Sequence, residues 1–249
     1  RPGSKLRKGL EQLSKDADVR VLLINIRSVN MGWAELQQLR SLLQKNREAG
    51  KILFAQLHTM DKRALYLASI ADTVWLLPAA EILWIPSGMR RLFLGALFQR
   101  LGLKADVEAA GAFKSAGEEY SRQYPSSENR EQLSSLLNDL ETQMITAIAD
   151  SRGIEPGLLK QAYSESPISG ERALELGLVD ELRYEDQAIE RVSDYVMNDG
   201  EPMGLVSYSR LLSWQRWCEG WGDRRKSIAI LHLNGVITDA EDGPGITVS

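Results

Sequence analysis

The chain has 249 residues, of which 43% are hydrophobic and 26% are charged, and its formal net charge at pH 7 is −4. This size and hydrophobic content suffice for one large domain or two small ones with a hydrophobic core. The absence of a basic surplus argues against a nucleic-acid-binding protein. Cys218 is the single cysteine, which excludes an intrachain disulfide and leaves the cellular compartment open. No segment approaches the roughly 20 apolar residues of a membrane span.

The first third of the chain alternates predicted helices and strands. Residues 5–15 place leucines on one helical face, and VRVLLINI (19–26) is the continuous apolar run of a buried parallel strand. A helix that ends at Gly50, a strand, a second helix and a second strand follow, over residues 33–50, 51–57, 61–71 and 73–77. This alternation predicts βαβ units, and therefore an α/β fold with a mainly parallel sheet covered by helices.

The middle of the chain continues with less regular patterns. EILWIP (81–86) is compatible with a short strand, 90–102 with an amphipathic helix, and KADVEAAG (104–111) with a strand. Residues 127–153 predict the longest helix, and 170–182 predict a helix, a glycine stop and a strand. The apolar residues expected to face inward from the longest helix are Leu133, Leu136, Leu137, Leu140, Met144 and Ile148.

The last fifty residues change character. Residues 198–226 are rich in turn residues and charges and predict a connector, whereas SIAILHLNGVITD (227–239) predicts a strand and turn. We therefore expect a first unit over 1–197, whose own first strand is missing, and a second unit that begins at 227 and is cut off by 249. An opening segment without an initiating methionine, and an end just after a strand, predict a piece of a longer protein.

Most residues with reactive side chains lack the spacing that chemistry needs. His58 ends a predicted strand and His232 lies inside one, without metal-ligand spacing. Glycine-rich phosphate-binding and dinucleotide-binding motifs are absent from the sequence, so we expect neither a metal nor a cofactor. Cys218 is an unpromising nucleophile in the connector. Its neighbours Trp214, Trp217 and Trp221 fit a packing face better than an aromatic ligand platform. The predicted helix 90–102 fits a core or subunit contact better than a membrane surface.

Lys114 differs from the other lysines in its surroundings. It follows the predicted strand 104–111, at the carboxyl end where α/β sheets collect functional groups. Small residues flank it in GAFKSAGEEY (111–120), and they leave room for a backbone or a substrate. A free lysine has a pKa near 10.4, so a lysine that acts as a base near pH 7 must be desolvated at a cost of about 4 to 5 kcal/mol. A carboxylate beside the ammonium would oppose this, so Glu118 and Glu119 should point away from it.

The stretch FKSAGEEYSR (113–122) carries a family resemblance, with Lys114, Ser115, Ala116 and Glu118 as its specific part. Together with 10–26, 66–78 and 166–182, it resembles the signal peptide peptidase SppA family. That family comprises serine peptidases with a Ser/Lys dyad on a ClpP/crotonase-like fold. The resemblance covers roughly residues 5–185. Residues 227–239 also resemble the opening strand of the second repeat in the long, two-repeat members.

The departures from the family pattern concern the nucleophile. The segment equivalent to the family's A-A-S-G-G-Y is DKRALY (61–66), which puts Arg63 where the serine should be. The family's D-S-P-G-G turn, which helps form the oxyanion hole, corresponds to RSVNM (27–31), without either glycine. The resemblance therefore implies that Lys114 is one half of a catalytic dyad, that a second repeat beyond Ser249 supplies the serine, and that this chain alone is inactive.

The resemblance also implies a setting for such an enzyme. Its substrates would be cleaved signal peptides or other hydrophobic peptides, and it would form a ring-like or dome-like homo-oligomer such as a tetramer. It would be associated with the inner membrane of the cell envelope through a segment outside this chain, on the periplasmic or extracytoplasmic side. Two alternatives stay open: a non-catalytic scaffold repeat that builds the oligomer, and a crotonase-like acyl-CoA enzyme. The missing glycine-bearing turn counts against the second.

Overall fold

The computed structural model describes residues 2–17, 19–80, 82–85, 87–197, 204–207 and 227–233. The chain divides into two compact units. We call them the sheet unit, Arg1–Ile85 with Ala147–Ser249, and the insert unit, Pro86–Thr146.

The sheet unit is built on a six-stranded sheet in which every neighbouring pair of strands is parallel. The strands are β1 (Val19–Ile26), β2 (Ile52–Leu57), β3 (Thr73–Leu76), β4 (Glu181–Leu182), β5 (Gly204–Ser207) and β6 (Ser227–Leu233). Their order across the sheet is β4-β3-β2-β1-β6-β5. Every residue of β1 except Arg20 is buried, as expected for a parallel strand covered on both faces. The predicted α/β fold with a mainly parallel sheet is confirmed.

Helices follow the strands in the sequence. The helices of the sheet unit are α1 (Pro2–Leu13), α2 (Trp33–Glu48), α3 (Lys62–Ala68), α7 (Pro156–Glu165), α8 (Gly170–Glu175) and α9 (Glu185–Met197). The insert unit holds α4 (Gly95–Arg100) and α5 (Glu118–Ser121), and α6 (Ser127–Arg152) runs from the insert unit into the sheet unit. Gly50 ends the α2 segment with φ +84°, a backbone conformation that favours glycine.

The core of the sheet unit lies on both sides of the sheet. On one face, Leu23, Phe54 and Trp75 pack against Ala188 and Val192 of α9. Phe54 and Trp75 also stack with ring centroids 5.0 Å apart. The successive helices α1, α2 and α3 contact one another, and α3 contacts β1 and β2.

Two aspartates, Asp72 before β3 and Asp180 before β4, each extend the hydrogen bonding between neighbouring strands. The Asp180 amide donates to the Val74 carbonyl at 2.8 Å, and its carboxylate accepts from the Val74 amide at 2.7 Å. Arg152 holds the same carboxylate with an Nη2–Oδ1 distance of 2.6 Å. Asp72 makes the same pair of bonds with Leu53, at 2.8 and 2.9 Å. Each aspartate, at the end of GLVD (177–180) or of IAD (70–72), thus accepts a hydrogen bond from a strand amide that has no backbone acceptor in the sheet.

Three predicted elements of the middle region differ from the structure, one of them throughout and two in extent. Residues 104–111 form no strand: of their side chains only Ala105 is partly covered and the rest are exposed, so the segment has no apolar face to bury. The helix predicted over 90–102 is limited to α4. The amides of Leu94 and Gly95 donate to the carbonyls of Glu119 and Arg122, at 2.6 and 3.1 Å, instead of to an earlier turn of helix. Within 81–86, Ile82 makes only isolated bridges, to Met60 and Ile168.

Several other predictions need adjustment. The longest helix is confirmed as α6, and Met144 and Ile148 are buried on it, but Leu136 is 47% exposed. α7 and α9 were not predicted. Residues 204–207 of the predicted connector form the edge strand β5, and β6 joins the sheet beside β1. The remainder of 198–226, with Cys218 and the three tryptophans, and the turn predicted after β6 lie outside the described residues.

Candidate functional site

Lys114 lies in an exposed turn of the insert unit, just before α5. Its amide donates to the carbonyl of Gly111 at 3.2 Å, and Gly111 has φ +108°, which favours glycine. The next residue, Ser115, is buried, and its carbonyl accepts from the amide of Glu118 at 3.1 Å. Local backbone hydrogen bonds therefore hold the turn on both sides of Lys114, while the lysine side chain is exposed to solvent.

The expected support for Lys114 is absent, because residues 104–111 form no strand in the described structure. Lys114 is therefore not the first residue after the carboxyl end of a sheet strand. Its turn is supported instead by α6 and by the segment that leads into α4.

Glu118 connects this turn to the start of α6. Its carboxylate accepts from the Ser126 hydroxyl at 2.5 Å, the Ser126 amide at 3.0 Å and the Asn129 side-chain amide at 3.0 Å. The hydroxyl bond of Ser126, followed by its amide bond, lowers the pKa of Glu118 to about 2. A depressed carboxyl pKa stabilises the fold above the ordinary glutamate value, and that stabilisation is lost as the pH falls towards 2.

Glu119 is also turned away from the lysine. Its Oε1 lies 3.1 Å from Nη1 of Arg91, in an ion pair that is about one-third exposed on each side. Within the described residues, Lys114 forms no ion pair. Glu118 and Glu119 are thus both bonded to groups other than the Lys114 ammonium.

The position equivalent to the family's serine belongs to the sheet unit. Arg63 lies in the first turn of α3 and is partly exposed. Asp61 caps this helix, since its Oδ1 accepts from the Ala64 amide at 2.7 Å. A helix N-terminus is therefore present at the carboxyl end of β2, but it carries a guanidinium, which cannot act as a nucleophile.

The position equivalent to the oxyanion turn lies at the same edge of the sheet, after β1. Val29 and Met31 are each 5% exposed, whereas Arg27, Ser28 and Asn30 are exposed, so the segment 27–31 alternates buried apolar and exposed polar residues. No residue of 27–31 has a positive φ. The turn therefore lacks the glycine backbone conformations that the family motif uses. At the two positions that the resemblance makes equivalent, the described part of the sheet unit carries Arg63 and a 27–31 segment without glycine, and Lys114 belongs to the insert unit.

Sequence reasoning missed a polar cluster beneath α9. Asn25, 2% exposed in β1, donates its side-chain amide to Glu185 Oε1 at 2.5 Å. Arg27 Nη2 and His58 Nε2 lie 3.4 and 3.6 Å from Glu185 Oε2, so His58 contacts the same carboxylate as Arg27. In the sequence, the polar residues Asn25 and Gln56 interrupt two apolar strands, and they lie opposite each other in β1 and β2. These two residues could have indicated the cluster. In the part of the chain that the structure describes, no three histidine, cysteine or acidic residues are placed to bind a metal ion.

Among the described residues, no helix is both long enough and apolar enough to span a bilayer.

Comparisons with known proteins agree with the motif analysis. The chain is 23% identical over 224 residues to the chloroplastic serine protease SPPA of Arabidopsis thaliana, an alignment that covers 90% of this chain and 33% of that protein. It is 24% identical over 250 residues to Protease 4 of Salmonella typhi, covering 95% of this chain and 39% of that protein. This chain therefore spans between a third and two fifths of the length of these relatives.

A solved structure of a membrane-bound stomatin-specific protease in complex with a substrate peptide also matches, at 9% identity and a TM-score of 0.43. The match covers 94% of this chain and 86% of that one. The model of peptidase family S49 matches residues 45–197, which is more than half of the sequence. The matched segment includes the Lys114 turn, the Arg63 position and the GLVD strand start. The chain belongs to peptidase family S49.

Proposed function

We propose that this chain is the lysine-bearing half of a Ser/Lys endopeptidase, and that a second repeat in the longer protein supplies the serine. The observation that carries the proposal is the Lys114 turn. The amine is accessible, and both neighbouring carboxylates are bonded elsewhere, Glu118 to Ser126 and Glu119 to Arg91. This arrangement suits a lysine that is desolvated only when another surface covers it.

The mechanism assigns one role to this chain. Neutral Lys114 accepts the proton of the serine hydroxyl as its oxygen attacks the peptide carbonyl. The resulting ammonium returns the proton to the leaving amine, and an acyl-enzyme remains. Water then attacks the ester while Lys114 again accepts and returns a proton, which releases the acid and restores the serine. Backbone amides of the second repeat would stabilise the oxyanion, because the 27–31 turn here lacks the glycines.

The substrates would be hydrophobic peptides, including cleaved signal peptides. The enzyme would act at the extracytoplasmic side of the inner membrane, held there by a segment outside this chain. Family membership supports a serine peptidase, and the exposed apolar residues of the insert unit are compatible with an apolar substrate. Neither nucleic acid nor a cofactor enters the proposal.

A fluorophosphonate probe tests the proposal, because it labels activated serines. We expect the full-length protein to be labelled at a serine that lies after residue 249 and to hydrolyse hydrophobic peptides. The chain 1–249, with Arg63 in the serine position, should be neither labelled nor active. Turnover or labelling by 1–249, or labelling of the full-length protein at a serine within it, contradicts the proposed division of the dyad.

We also propose a homo-oligomer, such as a tetramer, in which the insert unit contributes contacts between copies. Most of the large hydrophobic side chains that the structure leaves exposed belong to this unit: Met89, Leu92, Leu97, Leu101, Leu103, Val107, Phe113, Tyr120, Tyr124 and Leu136. Contiguous exposed apolar patches mark protein–protein interaction sites, and this concentration of apolar side chains in one unit supports such a patch. The unit also carries basic and acidic residues in nearly equal numbers, so two copies would not repel each other strongly.

Sedimentation of the full-length protein checks this second proposal. Leu97→Asp with Leu101→Asp should shift the oligomer towards smaller species, because two charges would be buried in the contact. Leu158→Asp, at a 41% exposed site in α7 of the sheet unit, is the matched control and should leave the oligomer intact. An unchanged oligomer in the double variant removes these residues from the contact. The exposed apolar residues of the insert unit would then no longer support the alternative in which this repeat is a non-catalytic scaffold that builds the oligomer.

A further inference from the structure

Glu118 occupies an unusual position for a glutamate four residues from a candidate base. Ser126 is the residue immediately before α6, and its hydroxyl accepts from the Asn129 amide at 3.1 Å, as a helix cap does. The same hydroxyl donates its single hydrogen to Glu118 at 2.5 Å. In a capping box, a glutamate three residues into the helix accepts from the capping residue's amide. Here Asn129 holds that place, and Glu118 from outside the helix accepts instead.

The Glu118 carboxylate is bonded to the first residues of a long helix. α6 is 26 residues long, and a carboxylate at a helix N-terminus is favoured by the unpaired amides and the helix dipole. Ser126 is 7% exposed and Asn129 is 1% exposed, so the donors of these three hydrogen bonds are shielded from water, while the accepting Glu118 is partly exposed. The backbone of Glu118 begins α5, and its amide closes the turn onto Ser115, the residue after Lys114.

A second contact fixes the backbone between the lysine and the glutamate. A Cβ atom built on Gly117 would overlap Cγ1 of Val107. The Val107 side chain therefore packs directly on the Gly117 backbone, on a glycine that lies between Lys114 and Glu118. Lys114 is thus presented by a short turn that is held at Gly117 and at Glu118.

We infer that Glu118 is a positioning residue for the proposed reaction, holding the Lys114 turn in register with α6 so that the amine meets the serine of the second repeat. The inference rests on the proposed function. It assigns Glu118 no proton transfer, since all three of its recorded bonds are accepted from Ser126 and Asn129. Its effect on the reaction comes only from where it places the backbone of the turn.

Glu118→Gln in the full-length protein tests the inference. A glutamine keeps the size of the side chain but has a single accepting oxygen, so it cannot accept at both positions where the carboxylate accepts the Ser126 hydroxyl and, on the other oxygen, the Ser126 amide and Asn129. Displacing a reacting group by about 1 Å can cost on the order of 100-fold in rate, so we expect kcat to fall about 10- to 100-fold. KM should change by less than about two-fold, because Glu118 contributes no contact to the substrate.

Glu119→Gln is the matched control. It removes the same negative charge one residue further on, and loses only the ion pair with Arg91, whose partners are each about one-third exposed. A through-space effect of charge on the lysine would move the pH profile of kcat/KM alike in both variants. Positioning predicts a loss of kcat in Glu118→Gln alone.

Ser126→Ala provides a second route if Glu118→Gln folds poorly. It removes the hydroxyl donor while Glu118 remains, and should lower kcat in the same way. The double variant should lose little more than either single variant, because both break one network. Equal pH shifts in the two glutamine variants, or wild-type kcat in both Glu118→Gln and Ser126→Ala, would overturn the positioning role. If Lys114→Ala retains activity, the proposed function itself fails.

Discussion

Lys114→Ala in the full-length protein is expected to abolish peptide hydrolysis, with a loss in kcat/KM of about 10³-fold or more. A positioned general base contributes about 10²- to 10⁴-fold, and loss of one partner of a dyad also leaves the nucleophile unactivated. Because the Lys114 side chain is exposed in this chain, the proposed mechanism requires that the surface bringing the serine also desolvates the lysine. Hydrolysis of a fluorogenic hydrophobic peptide measures the effect.

Two further variants sharpen this result. Lys114→Arg should be as inactive as the alanine variant, because a guanidinium keeps its proton at any pH of interest. Lys104→Ala removes another exposed lysine of the insert unit and should retain wild-type activity. An active arginine variant would refute general-base catalysis by Lys114, and equal losses in both alanine variants would point to a general effect of charge.

Arg40→Met is expected to destabilise the fold by about 2 to 4 kcal/mol, the largest stability effect that we foresee for a single substitution. Arg40 is 8% exposed, and its guanidinium donates to the carbonyl of Tyr66 and to Ser69 Oγ at 2.8 Å. It also donates to the carbonyl of Ala147 at 2.9 Å and to Ser151 Oγ at 2.7 Å. Methionine would fill much of the volume but remove a donor from each of these buried or part-buried acceptors, at up to about 1 to 3 kcal/mol each before relaxation. The Tyr66 carbonyl keeps the hydrogen bond that it accepts from Ser69 Oγ at 3.1 Å.

The charge of Arg40 explains why the loss is smaller than the sum of its bonds. Burial lowers the pKa of Arg40, which is the mark of a cation held away from water. Removing the cation therefore recovers part of its desolvation cost. The Tyr66 ring, 4.4 Å from the guanidinium carbon, offsets some of that cost in the native protein.

Urea unfolding of the variants measures this effect. Arg40→Lys should lie between the wild type and Arg40→Met, since an ammonium cannot reproduce the planar set of donors. Arg7→Met removes an exposed arginine from the 3.8 Å pair with Glu11 and should cost less than about 0.5 kcal/mol. Equal midpoints for Arg40→Met and Arg7→Met would show that the buried network contributes little to stability.

The regular part of the sheet unit could be predicted from sequence because its signals are local. The apolar run at Val19–Ile26, interrupted by Arg20 and Asn25, the leucine spacing of α2 and the glycine stop at Gly50 each depend on neighbouring residues only. In the same way, Lys114 could be singled out by its small neighbours, and Arg63 by its place in a motif that normally carries serine. Those residues set what chemistry the chain can and cannot supply.

The surroundings of Lys114 were decided by tertiary structure. Residues 104–111 have the alternation of a strand, but a strand forms only beside a partner with which it can share backbone hydrogen bonds. Residues 90–94 have helical periodicity, yet the amides of Leu94 and Gly95 bond to the segment 119–122. Likewise, no local sequence pattern connects Glu118 with Asn129. The hydrogen bonds that join Glu118 to the start of α6, and so hold the Lys114 turn, could therefore be identified only from the fold. The sequence by itself therefore determined the strands of the sheet and the residue types at positions 114 and 63, because these depend on residue type and short spacing. Only the tertiary structure decided how the lysine is held, because that depends on hydrogen bonds between segments that are distant in the chain.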